Sequence, residues 1–113
     1  MIRVSSVLAA LVAASVLLPA AAAAQCSAAD RCSASQCQSR QSQVHAACDT
    51  PRSCSAIPPG NKVELRRRLA INQNCLAVRA SVNECFSQTD RGHAQQLSDV
   101  RNAIARCEEK IRQ

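Results

Sequence analysis

The sequence has almost no aromatic residues: it contains one phenylalanine and neither tryptophan nor tyrosine. Aromatic side chains supply much of the buried apolar area in most domain cores, so a chain without them forms a thin core. A small domain with a thin core usually needs cross-links in addition to hydrophobic burial. The composition therefore predicts a chain that is held together by covalent cross-links.

The sequence also lacks the usual marks of a metal site, since it contains no Cys-x-x-Cys pair and only two histidines. Structural zinc sites in small domains typically show such close cysteine pairs. We therefore predict no metal and no cofactor, and we assign the eight cysteines to disulfides. Each bridge is expected to stabilise the fold by roughly 2–4 kcal/mol.

The first 24 residues have the three-part layout of a secretory signal peptide. Arg3 is the charged n-region, an apolar run follows from Val4 to Leu18, and Ala22-Ala23-Ala24 fits the small-residue cleavage rule. The alternatives are a membrane anchor, for which the run is short, and a lipoprotein, for which Gln25 is a poor residue before Cys26. The sequence thus predicts a periplasmic or extracellular protein with one cysteine-rich helical domain over residues 25–113 and no further transmembrane span.

The pattern of the remaining chain predicts three helices. A weak helix over residues 27–48 carries Cys37, Val44 and Cys48 on one face, and a loop rich in proline follows to Gly60. Asn61 is the expected N-cap of a second helix to residue 86, with Glu64 completing a capping box. A third helix is predicted at about residues 92–111. The predicted fold is all-α, a disulfide-rich three-helix unit with an antiparallel hairpin at about 62–86 and 92–111.

Heptad-like apolar seams on the last two helices predict how this hairpin pairs. In one antiparallel register every seam residue faces another, as in Ile71 with Ile111, Cys75 with Cys107, Val78 with Ile104, Val82 with Val100, and Cys85 with Leu97. We therefore predict a Cys75–Cys107 bridge. The other pairings are more open: Cys85 with Cys37 or Cys32, Cys26 with whichever of these is left, and Cys48 with Cys54.

The segment 75–107 resembles a cysteine-rich helical module at the C-termini of some bacterial polymorphic toxins. The matching residues are Cys75, Arg79, Cys85, Phe86, Asp90, Gly92, His93 and Cys107, whereas Gln88-Thr89 stand where that family tends to have two glycines. The resemblance implies a small secreted effector. If it acts on RNA, the candidate catalytic residues are His93, Arg79, Asp90 and Arg91, with His93 as general base. The structural alternative assigns Asp90 to the helix cap and His93 to the first helical turn.

The basic run Arg66-Arg67-Arg68 is the candidate binding site of a chain with a net charge of +6. No aromatic residues are interleaved with it to stack on bases, so nucleic acid is disfavoured as a partner. No serine, cysteine or carboxylate constellation indicates another enzyme, and the sequence favours a non-enzymatic protein. The leading hypothesis is an exported stapled module that binds an anionic macromolecule or an acidic protein. The alternatives are the toxin-like effector and a purely structural envelope protein.

Overall fold

The computed structural model describes residues 25–87 and 91–113, and in these residues it contains helices and no strands. The main elements are α1 (Ala34–Cys48), α2 (Lys62–Asn83) and α3 (Arg91–Arg112). The predicted all-α fold is confirmed, and α1, α2 and α3 correspond to the three predicted helices. The predicted signal peptide (1–24) and Asp90 lie outside the described residues. No helix in the described part of the chain is long and apolar enough to cross a membrane.

The first helix is shorter than predicted, because a cap at Ser33 sets its beginning. The Ser33 hydroxyl accepts from the Gln36 backbone N–H, and the Gln36 side chain accepts from the Ser33 N–H, each at 3.1 Å. This reciprocal capping box defines Ala34 as the first helical residue. Residues 25–27 are also helical but are separated from α1 by turns and bends. The prediction of one continuous helix over 27–48 was therefore wrong.

Asn61 caps α2 as predicted, but only half of the predicted capping box forms. The Asn61 side chain accepts from the Glu64 backbone N–H at 3.3 Å. The Asn61 N–H donates to the Pro58 carbonyl, because the Glu64 carboxylate accepts from Arg67 and Arg68 instead. The helix ends at Asn83 rather than Phe86, and α3 begins at Arg91.

Helix α2 is central and packs against both α1 and α3. It runs antiparallel to each of them. Lys62, at the start of α2, reaches the carbonyls of Lys110 and Gln113 at the end of α3. Arg40, within α1, donates to the Ser81 carbonyl near the end of α2 at 2.7 Å. The predicted antiparallel hairpin is thus present.

All eight cysteines form disulfides, in the pairs Cys26–Cys37, Cys32–Cys85, Cys48–Cys75 and Cys54–Cys107. Two of the open pairings, Cys85 with Cys32 and Cys26 with Cys37, are settled among their predicted alternatives. The predicted Cys75–Cys107 and Cys48–Cys54 bridges were wrong. Because α2 lies between two partners, its Cys75 is bonded to α1. Cys85, just after α2, is bonded to the segment before α1, and Cys54 of the loop is bonded to Cys107 of α3.

The register of the hairpin also differs from the prediction, by about one helical turn. Asn72, three residues before Cys75, lies beside Cys107, with its amide nitrogen 3.7 Å from the cysteine sulfur. The sequence pattern predicted that the apolar seam of α2 contacts α3 alone, but residues of this seam contact both α1 and α3. Its Cys75 therefore turns toward α1, and Asn72 occupies the contact with α3.

In the described residues the core consists of three small clusters along the bundle, and each cluster contains a disulfide. The cysteines of these clusters are buried together with a few larger side chains, chiefly Phe86 and Val82 in the first cluster, Val100 in the second and Leu65 in the third. Cys26–Cys37, Cys48–Cys75 and Cys54–Cys107 belong to them in that order. The disulfides therefore fill part of the core volume as well as cross-linking the chain.

Candidate anion-binding surface

The hairpin turn was the predicted position of a catalytic group, and the structure places His93 there as a buried residue. Its side chain is 7% exposed and stacks on Phe86, with ring centroids 4.0 Å apart and ring planes 23° apart. A stack of this kind stabilises the contact between α3 and the segment just after α2. The environment of His93 is that of a packed side chain, and most of its surface is closed to a macromolecular substrate.

Arg79 and Arg91, two other candidates at the turn, occupy different surroundings. Arg79 lies in the middle of the bundle, where burial lowers the pKa of its guanidinium and the nearby Arg52 lowers it further. The carboxylates of Asp49 and Asp99 act in the opposite direction. Arg91 is exposed at the first residue of α3. The charged residues near Arg79 therefore lie in the loop after α1 and in α3.

The basic run at the start of α2 is partly neutralised by a single carboxylate. Glu64 accepts from Arg67 at 2.6 and 2.8 Å and from Arg68 at 2.8 Å. These bonds lower the pKa of Glu64 from 4.5 to about 2 and raise the pKa of Arg67. Arg66 is exposed and forms no ion pair with the residues that the structure describes. Of the predicted site, Arg66 therefore presents the least compensated charge.

Further cations lie close to this run, and hydrogen bonds to backbone carbonyls hold them in place. The Lys62 ammonium donates to the Lys110 carbonyl at 3.0 Å and to the backbone oxygen of Gln113 at 2.8 Å. The Lys110 ammonium donates to the carbonyls of Ser55 and Ile57 at 2.7 and 2.8 Å. A carbonyl satisfies the hydrogen bonds of an ammonium without cancelling its charge. Lys110 is therefore held in place and keeps its positive charge.

We define the basic end as residues 49–68 and 106–113, which meet through these bonds and through the Cys54–Cys107 disulfide. It contains four carboxylates, at Asp49, Glu64, Glu108 and Glu109. It contains eight cations: Arg52, Lys62, Arg66, Arg67, Arg68, Arg106, Lys110 and Arg112. The other residues from 25 onward have five lysines and arginines and four acidic residues. The surplus positive charge is therefore concentrated at one end of the bundle.

A buried polar network that the sequence analysis missed shapes the loop at this end. Asn72 is fully buried; its amide donates to the Arg52 carbonyl at 2.7 Å, and its oxygen accepts from the Arg52 guanidinium at 2.7 Å. The Arg52 Nε also donates to the Cys48 carbonyl at 3.1 Å. A signal was present in the sequence, because Asn72 follows Leu65 by seven residues, a spacing that places both on the same face of a helix.

The surface depressions on the described residues include two that are open to solvent rather than enclosed like a typical active site. One, of about 210 Å³, lies between the loop and α3 and is lined by Ser53, Cys54, Ser55, Asp99, Asn102, Ala103 and Arg106. The other, of about 410 Å³, lies on the polar face of α1. No group of three or more metal-ligating side chains of His, Cys, Asp or Glu occurs in residues 25–87 and 91–113. The basic end is thus the best-defined candidate surface.

No protein-family model matches the chain, and no curated protein and no solved structure is significantly similar to it. The resemblance of residues 75–107 to toxin modules stays a prediction.

Proposed function

We propose that the chain is an exported, disulfide-stapled helical module that binds an anionic macromolecule through its basic end. The observation that carries the proposal is the concentration of eight lysines and arginines against four carboxylates at that end. Clustered charge of one sign attracts partners of the opposite charge and speeds their association. Four disulfides are typical of proteins that mature in an oxidising compartment, which agrees with export.

The order of the basic end supports binding. Lys62 and Lys110 are held on carbonyls, Arg68 donates to the Ser53 carbonyl at 2.7 Å, and Arg106 donates to the Ser55 hydroxyl at 3.1 Å. The loop that supplies these acceptors is tied to α3 by the Cys54–Cys107 bridge. A surface that is ordered before binding loses less conformational entropy when the partner arrives.

Nucleic acid is not the partner that this surface favours. The chain has neither tryptophan nor tyrosine, and its one phenylalanine, Phe86, is buried beyond the far end of α2. Proteins that bind single strands usually stack bases on aromatic side chains. The attraction of the basic end is therefore electrostatic, and we expect it to weaken as salt screens the charges.

The test is binding of the purified, fully oxidised protein to heparin, a soluble polyanion, across a series of salt concentrations. We compare the double variant Arg66→Gln/Arg112→Gln with the matched control Arg31→Gln/Arg101→Gln, which removes the same charge from exposed residues outside the basic end. Weaker binding by the first variant alone supports the proposal. Equal binding by both variants contradicts the assignment of binding to the basic end. No binding by the wild-type protein contradicts the proposal as a whole and favours a purely structural role.

A further inference from the structure

The tip of the basic end combines apolar and cationic groups. Val63, in the first turn of α2, has 80% of its surface exposed and is the exposed large hydrophobic residue among those described. Pro58, Pro59 and Gly60 just before the helix are exposed as well. A Cβ added to Gly60 would meet no atom within 4 Å, so open space surrounds this turn. The tip therefore presents a small apolar apex to solvent.

Cations surround this apex. Arg66 and Arg67 lie three and four residues after Val63, which places them on the same face of α2. Lys62 directly precedes Val63 and joins the end of α3, where Arg112 is exposed. Apolar side chains beside lysines and arginines are the combination found in helices that lie at the surface of anionic membranes.

We infer that the basic end docks onto an anionic lipid surface, with Val63 and Pro58-Pro59 entering the headgroup layer. This inference rests on the proposed function and names its partner. An acidic protein would need cations that are free to form direct ion pairs. Most cations here are already engaged, since Arg67 and Arg68 bind Glu64 and the lysines bind carbonyls. A charged lipid surface attracts them through its field alone, over about one Debye length.

The contribution of each group follows from this arrangement. A lysine or arginine near an anionic membrane changes the affinity by about fivefold. Partial burial of one valine side chain in the headgroup layer changes it by a similar factor, about fivefold. A soluble polyanion offers no apolar layer, so the valine contributes to vesicle binding and not to heparin binding. This difference separates a lipid surface from other anions.

The experiment measures binding of the oxidised protein to vesicles of phosphatidylglycerol and phosphatidylcholine, to vesicles of phosphatidylcholine alone, and to heparin. The variants are Val63→Ser and Arg66→Gln, with Arg31→Gln as the control, since the backbone of Arg31 contacts Cys85 beyond the opposite end of α2. Because Val63 is exposed, its replacement by serine is expected to leave the fold intact, which far-ultraviolet circular dichroism checks.

Of the two kinds of vesicle, we expect the protein to bind only the anionic one. This binding should be weakened about fivefold by Val63→Ser and by Arg66→Gln and be unchanged by Arg31→Gln. Heparin binding should fall with Arg66→Gln but not with Val63→Ser. Binding to heparin without binding to anionic vesicles, or vesicle binding that Val63→Ser leaves unchanged, overturns the lipid inference while the proposed function stands. Binding to neither probe overturns both.

Discussion

The buried amide of Asn72 is expected to contribute more to stability than any other polar side chain of the bundle. Its replacement by alanine in Asn72→Ala removes the acceptor of the Arg52 guanidinium and the donor to the Arg52 carbonyl. Each partner that is left unsatisfied in a buried site costs about 1–3 kcal/mol. The Arg68 carbonyl loses less, because it is four residues earlier in the same helix and keeps its backbone partner.

Two such partners, reduced by the higher helix propensity of alanine, predict a loss of about 3 kcal/mol in the free energy of unfolding. Guanidinium chloride unfolding of the oxidised protein, followed by circular dichroism, measures this loss. Asn74→Ala is the matched control, because Asn74 lies two residues later on the same helix and is exposed. That substitution should change the free energy by no more than about 0.5 kcal/mol.

A double-mutant cycle with Arg52→Ala tests whether the loss comes from this contact. A hydrogen bond to a charged group contributes about 1.5–3 kcal/mol, so the coupling between the two substitutions should be of that order. If Asn72→Ala costs no more than Asn74→Ala, or if the two changes are additive, the network does not hold the loop and the reasoning fails.

Three other outcomes are expected. The Cys54–Cys107 disulfide closes a loop of 53 residues and Cys26–Cys37 one of 11, so replacing the first pair by serines should lower the free energy of unfolding more. We expect losses of about 4 and about 3 kcal/mol in denaturant unfolding. The reverse order would contradict this estimate. Since the pKa of Glu64 is about 2 in the folded protein and 4.5 otherwise, its ionic contribution is complete above pH 4.5 and is lost toward pH 2. Unfolding of Glu64→Gln and wild type at pH 6 and pH 2 should differ at the higher pH and converge at the lower; a constant difference would refute it. His93→Ala should remove the stack on Phe86 and lower the free energy of unfolding by about 1–2 kcal/mol, without loss of a binding or catalytic activity. If the wild-type protein cleaves RNA and this variant does not, the result would instead support the toxin-like effector.

The sequence was sufficient for the fold class, because cysteine content, helical periodicity and cap residues are local signals. Asn61 illustrates this, since it caps α2 at the predicted residue. The disulfide pairing was harder to predict. The seam of Cys75 and Val78 matched that of α3 well, but the sequence does not show that Cys75 faces α1 rather than α3. The pairings of Cys75 and Cys107 were wrong for that reason.

The candidate site was predictable only in part. The run at Arg66 to Arg68 was visible in the sequence, but its neutralisation by Glu64 depends on side-chain geometry. Lys62 is far in sequence from Arg106 and Lys110. These three residues come together at the basic end only because α2 and α3 are antiparallel. Long-range juxtaposition of this kind has no local signature.

The presence of a disulfide in each core cluster has a consequence for how this sequence can diverge. A core built from large apolar side chains constrains many positions at once, because a change of one methylene group is felt by its neighbours. In this chain the disulfides provide much of that constraint, because few side chains other than the cysteines are fully buried. Homologous chains would therefore be expected to keep the spacing of the eight cysteines while most other positions change. A search for distant relatives should weight that spacing above overall identity.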